Sequence, residues 1–231
     1  MVTALLLSGG TGTRMGTQVP KQYIEVDDRP IIYYCMQTLF RHEGIDAVQI
    51  VADELWRETI LDSLKELGAK SRGFSAPGKT RQLSILNGLE DIRKYASDKD
   101  YVLIHDAARP LLSAKQISDC LDAVAAGHDG ALPVLPMKDT VYFSEDGGSI
   151  TSLLERSRVF AGQAPEIFAL GKYYEANRRL LPEKILRING STEPAVMAGM
   201  DIAMIPGDER NYKITTMADL ERFREKMAES K

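Results

Sequence analysis

Lysine, arginine and glycine gather in Leu7-Ser8-Gly9-Gly10-Thr11-Gly12-Thr13-Arg14-Met15-Gly16, followed by Pro20-Lys21-Gln22-Tyr23. Glycines let a backbone turn sharply and bring successive N–H groups against phosphate oxygens. Ser8, Gly9, Gly10, Thr11, Gly12 and Thr13 are therefore expected to cradle a triphosphate. Arg14 and Lys21 add fixed positive charge, which would stabilise charge on a phosphorus undergoing substitution. A glycine-rich turn with solvated cations is the plainer alternative. Two neighbouring motifs do not fit. A dinucleotide fingerprint needs a third glycine where Met15 stands, and a Walker A loop needs a Gly-Lys-Ser/Thr ending that is absent. The first mismatch counts against a dinucleotide-dependent oxidoreductase.

Three more segments carry candidate chemistry. His105-Asp106-Ala107-Ala108-Arg109-Pro110 follows the apolar run Tyr101–Ile104. An acid at the end of a parallel strand lies where ligands bind in such folds, and a carboxylate there suits Mg2+ bridged to phosphates. Arg109 can grip a phosphate or carboxylate with two N–H groups. Asp106 as a turn cap, with Arg109 paired to a surface acid, reads equally well in isolation. His105 reads as a packing or hydrogen-bonding residue, and no Ser/His/Asp or Cys/His pairing points to hydrolysis. Ala76-Pro77-Gly78-Lys79-Thr80-Arg81-Gln82-Leu83-Ser84 leads into a helix whose start can contact a base or sugar. Asn211-Tyr212-Lys213-Ile214-Thr215-Thr216 sets a lysine just before the last helix, where an exposed strand lysine is the alternative.

The elements that must hold these residues alternate between strand and helix. Ala4–Leu7, Ala47–Ala52, Tyr101–Ile104, Ala131–Leu135 and Ile202–Ile205 read as strands. Helical spacing runs through Ile31–Phe40 behind Pro30, through Leu55–Leu67 up to Gly68, and through Leu83–Ile92. Ser113 with Gln116 forms a capping box, and Thr216 with Asp219 an N-cap. The pattern predicts an α/β, Rossmann-like fold: a mostly parallel sheet with helices on both faces. Residues 140–154 break the alternation and read as a β-hairpin around Gly147-Gly148. An isolated hairpin is marginal in water, so a second subunit is expected to cover it, making residues 138–160 a dimerisation arm on a single domain spanning 1–231. A hairpin folded back on its own domain is the alternative.

Composition excludes several classes. With 44% hydrophobic and 27% charged residues, the chain is neither disordered nor fibrous. No apolar run approaches the roughly 18–20 residues a membrane span needs. Val2–Leu7 lacks a basic flank and reads as a strand rather than a signal peptide. Cys35 and Cys120 both fall in apolar helical patterns, as reduced core thiols of a cytoplasmic protein would. Against 33 acidic residues stand 29 basic ones, a net charge of −4. No general attraction to nucleic acid follows, so a polyanion would need cations concentrated in one site.

From the first strand to Asp219, the chain resembles the cytidylyltransferase family of 2-C-methyl-D-erythritol 4-phosphate and ribitol 5-phosphate cytidylyltransferases. Gly10-x-Gly12-x-Arg14-Met15 with Pro20-Lys21-Gln22 resembles the CTP-phosphate loop, and Asn211-Tyr212-Lys213-Ile214-Thr215 the segment whose lysine faces the phosphates. The resemblance implies catalytic roles for Arg14, Lys21 and Lys213, and cytosine contacts from Gly78, Arg81 and Ser84. It likewise implies Mg2+ at Asp106, acceptor binding by Arg109, Thr140, Arg156 and Ser191, and a projecting arm that interlocks two subunits. The reaction it implies moves CMP from CTP to a small polyol phosphate. The first expectation is 2-C-methyl-D-erythritol 4-phosphate, in isoprenoid precursor synthesis. Ribitol 5-phosphate is the alternative acceptor, and a catalytically silent nucleotide-binding subunit a more distant reading.

Departures from the family pattern concentrate on the acceptor side. Ala164-Pro165-Glu166 stands for Thr-Pro-Gln, and a Thr-Asp-Glu or Thr-Asp-Ala segment is missing. Ungapped counting puts Asn189-Gly190-Ser191 there, and a shift would use Ser191 or Thr192. In the glycine loop, Ser8-Gly9-Gly10 replaces Ala-Ala-Gly or Ala-Gly-Gly. Ala107-Ala108 looks like the methylerythritol branch, whereas Gly162-Gln163 and Lys213-Ile214-Thr215-Thr216 look like the ribitol branch.

Overall fold

Val2–Leu7 forms strand β1, with Thr3–Leu6 buried, as a continuous apolar run in a covered sheet should be. In this computed structural model, residues 1–10, 16 and 19–229 are described. The expectations for Thr11, Gly12, Thr13 and Arg14 lie outside them. After β1 come a short antiparallel pair, β2 (Glu25–Val26) and β3 (Arg29–Pro30), then α1 (Ile31–Arg41), β4 (Ala47–Val51) and α2 (Arg57–Leu64). Next are β5 (Ser71–Ser75), α3 (Arg81–Ile92), β6 (Tyr101–Asp106), α4 (Ala114–Ala125) and β7 (Gly130–Pro136). The remainder is β8 (Tyr142–Phe143), β9 (Ser152–Leu153), β10 (Phe160–Gly162), β11 (Glu166–Ala169), α5 (Leu170–Arg178), α6 (Glu193–Met197), β12 (Ile202–Pro206) and α7 (Met217–Ala228).

The central sheet runs β10-β7-β11-β6-β1-β4-β5, with β12 also paired to β7. β1 is parallel to β4 on one side and β6 on the other, Leu7 lying opposite both Val51 and Asp106. β11 and β10 run antiparallel to their neighbours. Alternating side chains feed two cores. Leu6 and Leu103 join Ile32 and Met36 of α1 and Ile117 and Cys120 of α4, while Leu5, Val102 and Ile104 join Leu89 of α3 and Tyr173 of α5. The chain proceeds from β1 to β4 and β5 in one direction, then returns to place β6 on the other side of β1. The strand order therefore reverses between β1 and β6, where open α/β sheets form their ligand crevice.

The capping box of Ser113 with Gln116 is present, and the expected N-cap Thr216 forms a capping box of its own with Asp219. Cys35 and Cys120 are buried free thiols. Other expectations need correction. Residues 55–67 are not one helix: a separate turn over Glu54–Trp56, capped by the Asp53 side chain, precedes α2 and shifts the helical phase. Leu55 and Leu61 consequently face solvent, and Ile60 supplies the buried contact. Pro30 precedes the first helical turn, with its backbone extended. In the 140–154 hairpin only Tyr142–Phe143 and Ser152–Leu153 pair, around a tip where Asp146 accepts from the Gly148 and Ser149 amides. Residues 142–158 are exposed in the single chain.

Leu6 has no exposed surface. Leu6→Ala is expected to cost about 2–5 kcal/mol of unfolding free energy, with an unchanged m-value, in urea titration followed by circular dichroism.

Candidate active site

The backbone leaving β1 is stitched from below. Gln22, buried in a single helical turn over Lys21–Tyr23, donates from Nε2 to the carbonyls of Ser8 (2.8 Å) and Gly10 (2.7 Å). Tyr23 donates its hydroxyl to the Ser8 carbonyl (3.0 Å) and accepts from Ser8 Oγ (2.7 Å), while its ring stacks on Trp56. These bonds turn the loop's carbonyls toward the protein. Gly9 is required by close approach, because a Cβ there would lie 2.6 Å from Pro77 Cβ. At Gly10, which lines the cavity, a Cβ would meet nothing within 4 Å among the described residues.

Across the crevice, β6 delivers Asp106. Arg81 donates to its Oδ1 through Nε (3.2 Å) and Nη2 (3.1 Å), Lys213 Nζ lies 3.0 Å from Oδ2, and Arg109 Nε lies 3.7 Å from Oδ2. Burial opposes charge on this carboxyl, but Arg81, Lys213 and Arg109 together outweigh it and hold it well below the usual carboxylate range. The fixing of Lys213 is local. Ile214 N–H donates to Ala108 O (2.8 Å), Arg109 Nη1 donates to Asn211 O (2.6 Å), and Asn211 Nδ2 donates to Ala164 O (2.7 Å). His105 points to the opposite face and is wholly buried. Its Nε2 lies 3.0 Å from the Arg109 carbonyl, which requires the proton on that nitrogen, and burial pushes its pKa down to about 4.

The start of α3 closes the third side. Thr80 caps it by accepting from Leu83 N–H, and Ser84 Oγ accepts from Gly78 N–H (2.9 Å) while donating to Thr80 O (3.0 Å). A Cβ on Gly78 would sit 2.4 Å from Leu83 Cβ, so only glycine lets the loop fold against the helix. The open cavity measures about 390 Å3 and is lined by Gly9, Gly10, Lys21, Gln22, Gly78, Lys79, Thr80, Arg81, Ser84, Asp106, Lys213 and Thr215, with Leu7 and Ala108. Four cations and one acid face it among the described residues, a net charge of +3 in a protein whose total is −4. Such a site attracts a polyanion.

Of the residues expected from sequence, Gly9, Gly10, Lys21, Gly78, Arg81, Ser84, Asp106 and Lys213 meet at this cavity. Ser8 lies behind it, and Arg109 sits against Asp106 as part of the same charge cluster. Ser191 is buried beside α5, its carbonyl accepting the Tyr173 hydroxyl, and does not line the cavity. Thr140 and Arg156 sit on the exposed arm, Arg156 donating to the Lys138 carbonyl (2.8 Å). The reading missed Gln22 and Lys79 as site residues, although both stand inside the quoted motifs. A glutamine two residues past a proline in a phosphate loop is a signal for a carbonyl staple.

The donor set can be tested against Mg2+. Among the described residues no three His, Cys, Asp or Glu side chains group as metal ligands. Asp106 is an ionised carboxylate at the cavity wall, which fits an ion that arrives with phosphate oxygens and water rather than one held by protein alone.

A doubly covered, mostly parallel sheet with a cationic crevice where its strand order reverses defines a nucleotide-binding α/β protein of the nucleotidyltransferase type. The chain belongs to the IspD family, 2-C-methyl-D-erythritol 4-phosphate cytidylyltransferase, whose family pattern matches residues 2–228. It is 34% identical over 97% of its length to the bifunctional enzyme IspD/IspF of Bradyrhizobium diazoefficiens, of which it spans 55%. The 2-C-methyl-D-erythritol 4-phosphate cytidylyltransferase of Rubrobacter xylanophilus is 36% identical, covering 94% of this chain and 90% of that one. The ribitol-5-phosphate cytidylyltransferase of Lacticaseibacillus paracasei is 27% identical over 97% of each. In fold it is similar to the crystal structure of the 4-diphosphocytidyl-2C-methyl-D-erythritol synthase of Anaerococcus prevotii, with a TM-score of 0.83, 23% identity, and coverage of 98% and 96%.

Two outcomes follow from the charge cluster. Asp106→Asn leaves three buried or half-buried cations without their counter-ion, a change expected to cost about 3–5 kcal/mol in the ligand-free protein. Inorganic triphosphate should restore part of the loss in a thermal-shift assay. For His105, the folded pKa of about 4 lies below the ordinary 6.5, so the unfolded chain binds the proton first as pH falls. Stability from this group is complete above pH 6.5 and declines toward pH 4, by up to about 3 kcal/mol. Glu166, raised by burial, acts in the opposite sense above its ordinary 4.5, so the readout is the difference between wild type and His105→Gln across that window.

Proposed function

We propose that this chain transfers CMP from CTP to 2-C-methyl-D-erythritol 4-phosphate, releasing pyrophosphate. The observation that carries the reading is the cationic cavity at the ends of β1 and β6, in a chain of this family. A phosphate oxygen of the acceptor attacks the α-phosphorus of CTP. The bond from that phosphorus to the oxygen bridging to the β-phosphorus breaks, and pyrophosphate leaves with the electron pair. The attacking group is already an anion, so no general base is required, which is consistent with a buried, neutral His105. Catalysis then comes from positioning and electrostatic stabilisation. Lys21, Lys213 and, by its place in the loop, Arg14 neutralise the phosphates, while Gly78, Arg81 and Ser84 lie on the base and sugar side. Asp106 would hold Mg2+, which supplies further charge neutralisation to the phosphates.

Arg109, Thr140, Arg156 and Ser191 are assigned to the acceptor by the family resemblance. Thr140 and Arg156 are on the arm, which also exposes Tyr142, Phe143, Ile150 and Leu153. An apolar surface of this kind suits a second copy of the chain, so the enzyme is read as a homodimer whose arm contributes to the partner's acceptor site. No helix among the described residues is long and apolar enough to cross a membrane. The two free thiols support a cytoplasmic setting. Ribitol 5-phosphate is the second reading, favoured by the Gly162-Gln163 and Lys213–Thr216 segments and by the Lacticaseibacillus relative.

Purified protein with Mg2+, CTP and a panel of polyol phosphates should release pyrophosphate fastest with 2-C-methyl-D-erythritol 4-phosphate. Preference for ribitol 5-phosphate would reassign the acceptor, and CTP binding without turnover on any acceptor would favour a silent subunit. Lys21→Ala is expected to lower kcat at least about 100-fold, the scale set by losing one charge-stabilising group. Near-normal turnover would remove Lys21 from the site.

A further inference from the structure

Asp106 cannot keep all its partners when a triphosphate arrives. Both of its oxygens are engaged here, Oδ1 by Arg81 and Oδ2 by Lys213 with Arg109 close by. In the reading above, Lys213 neutralises phosphate and Asp106 would hold the ion. Arg81 would then lose the one carboxylate that it bonds among the described residues, unless another acid stands near it.

One does. Glu166 begins β11, where it pairs with Ile104 of β6, two residues before Asp106. The period of two along a strand puts Glu166 and Asp106 on the same face of the sheet, the face covered by α3, whose first residue is Arg81. Glu166 is 8% exposed and does not line the cavity. Its Oε2 accepts from Thr192 Oγ1 (3.1 Å), which anchors the carboxyl from the side of the 189–192 turn. Tyr173 and Asn177 of α5 tie that same region to Gln82, the residue after Arg81: Gln82 Nε2 donates to the Tyr173 hydroxyl (3.1 Å) and is bonded to Asn177 Oδ1. The electrostatic partners of Glu166 include Arg81 and Asp106, and it acts in turn on Arg109. An acid is costly at such a depth without a cation to face, and nothing in the transfer step proposed above uses it.

We propose that Glu166 is a positioning residue, the second carboxylate that holds the Arg81 guanidinium in the cavity wall when Asp106 engages nucleotide. The inference rests on the cytidylyl-transfer reading for the identity of the nucleotide, and binding separates the two. Glu166→Gln keeps the size and an acceptor for Thr192 but removes the charge. By isothermal titration calorimetry it should weaken CTP binding about tenfold. In steady-state assays the KM for CTP should rise similarly, with kcat held within about threefold. Because the residue acts through Arg81, the tenfold loss should shrink to less than twofold when Glu166→Gln is added to Arg81→Met. Thr192→Val, which removes the Thr192 hydrogen bond and leaves the charge, should move CTP affinity in the same direction by about threefold, and serves if Glu166→Gln does not fold. Unchanged CTP affinity in Glu166→Gln, or an undiminished loss in the Arg81→Met background, overturns the proposal. A wild-type protein that binds CTP but transfers to no acceptor overturns the reaction, while the binding arm still decides Glu166.

Discussion

The site depends on one buried carboxylate. Arg81, Lys213 and Arg109 converge from α3, from the segment before α7 and from the turn after β6, and would repel one another without an anion between them. Asp106 is that anion. At these separations and in a poorly solvated setting, the attraction it supplies outweighs the cost of its own burial, which is why the carboxyl stays ionised. The same contacts fix the crevice geometry before any ligand arrives. The groups that would neutralise phosphates in the proposed reaction are held in place by an internal stand-in, so binding there would exchange one anion for another.

That exchange is possible because of where the sheet reverses its order. β1 and β6 are neighbours with parallel direction, and Leu7 and Asp106 stand level at their ends. The glycine loop and the acid therefore open onto the same space without any long connection. Gln22 and Tyr23 secure the loop from within, taking up the carbonyls of Ser8 and Gly10 that would otherwise compete with a ligand for the loop's orientation. The N-terminus of α3 supplies the third wall, where Thr80 and Ser84 satisfy the local donors and acceptors and Arg81 pairs with Asp106.

Much of this was legible in the sequence, for reasons that can be named. Continuous apolar runs identified β1, β4 and β6 because a covered parallel strand has no polar face to interrupt it; β7 and β12 were found by the same signal, although β7 has two antiparallel neighbours and β12 is a half-exposed edge strand. The capping boxes at Ser113 and Thr216 carry their own geometry and fixed two helix starts. β11 was not legible: four residues, Glu-Ile-Phe-Ala, are too few to show a period, and their antiparallel place between β6 and β7 is a tertiary fact. β2 and β3 were missed because the turn between them uses Asp27 and Asp28, both at positive φ, where glycine or asparagine is the usual signal. At the site, the segments were found but their internal bonds were not. Nothing in the spacing of residues 81, 106 and 213 says that they share one ion cluster.

The two halves of the proposed reaction make different demands on the fold. Nucleotide binding needs closely spaced cations and backbone donors, and a rigid sheet edge provides them within one chain. Acceptor recognition, in the reading offered here, draws on an arm whose residues 142–158 are exposed in the single chain and whose two-residue strands cannot be stable alone. In that reading a partner surface covers the arm, so acceptor binding would be tied to assembly while CTP binding would not. Arm residues that choose the acceptor, Thr140 and Arg156 in this reading, are then free to change without disturbing the cation cluster. This division accounts for a chain whose Gly10-x-Gly12-x-Arg14 and Pro20-Lys21-Gln22 motifs follow the family, while departures fall at Ala164 and at Asn189-Gly190-Ser191.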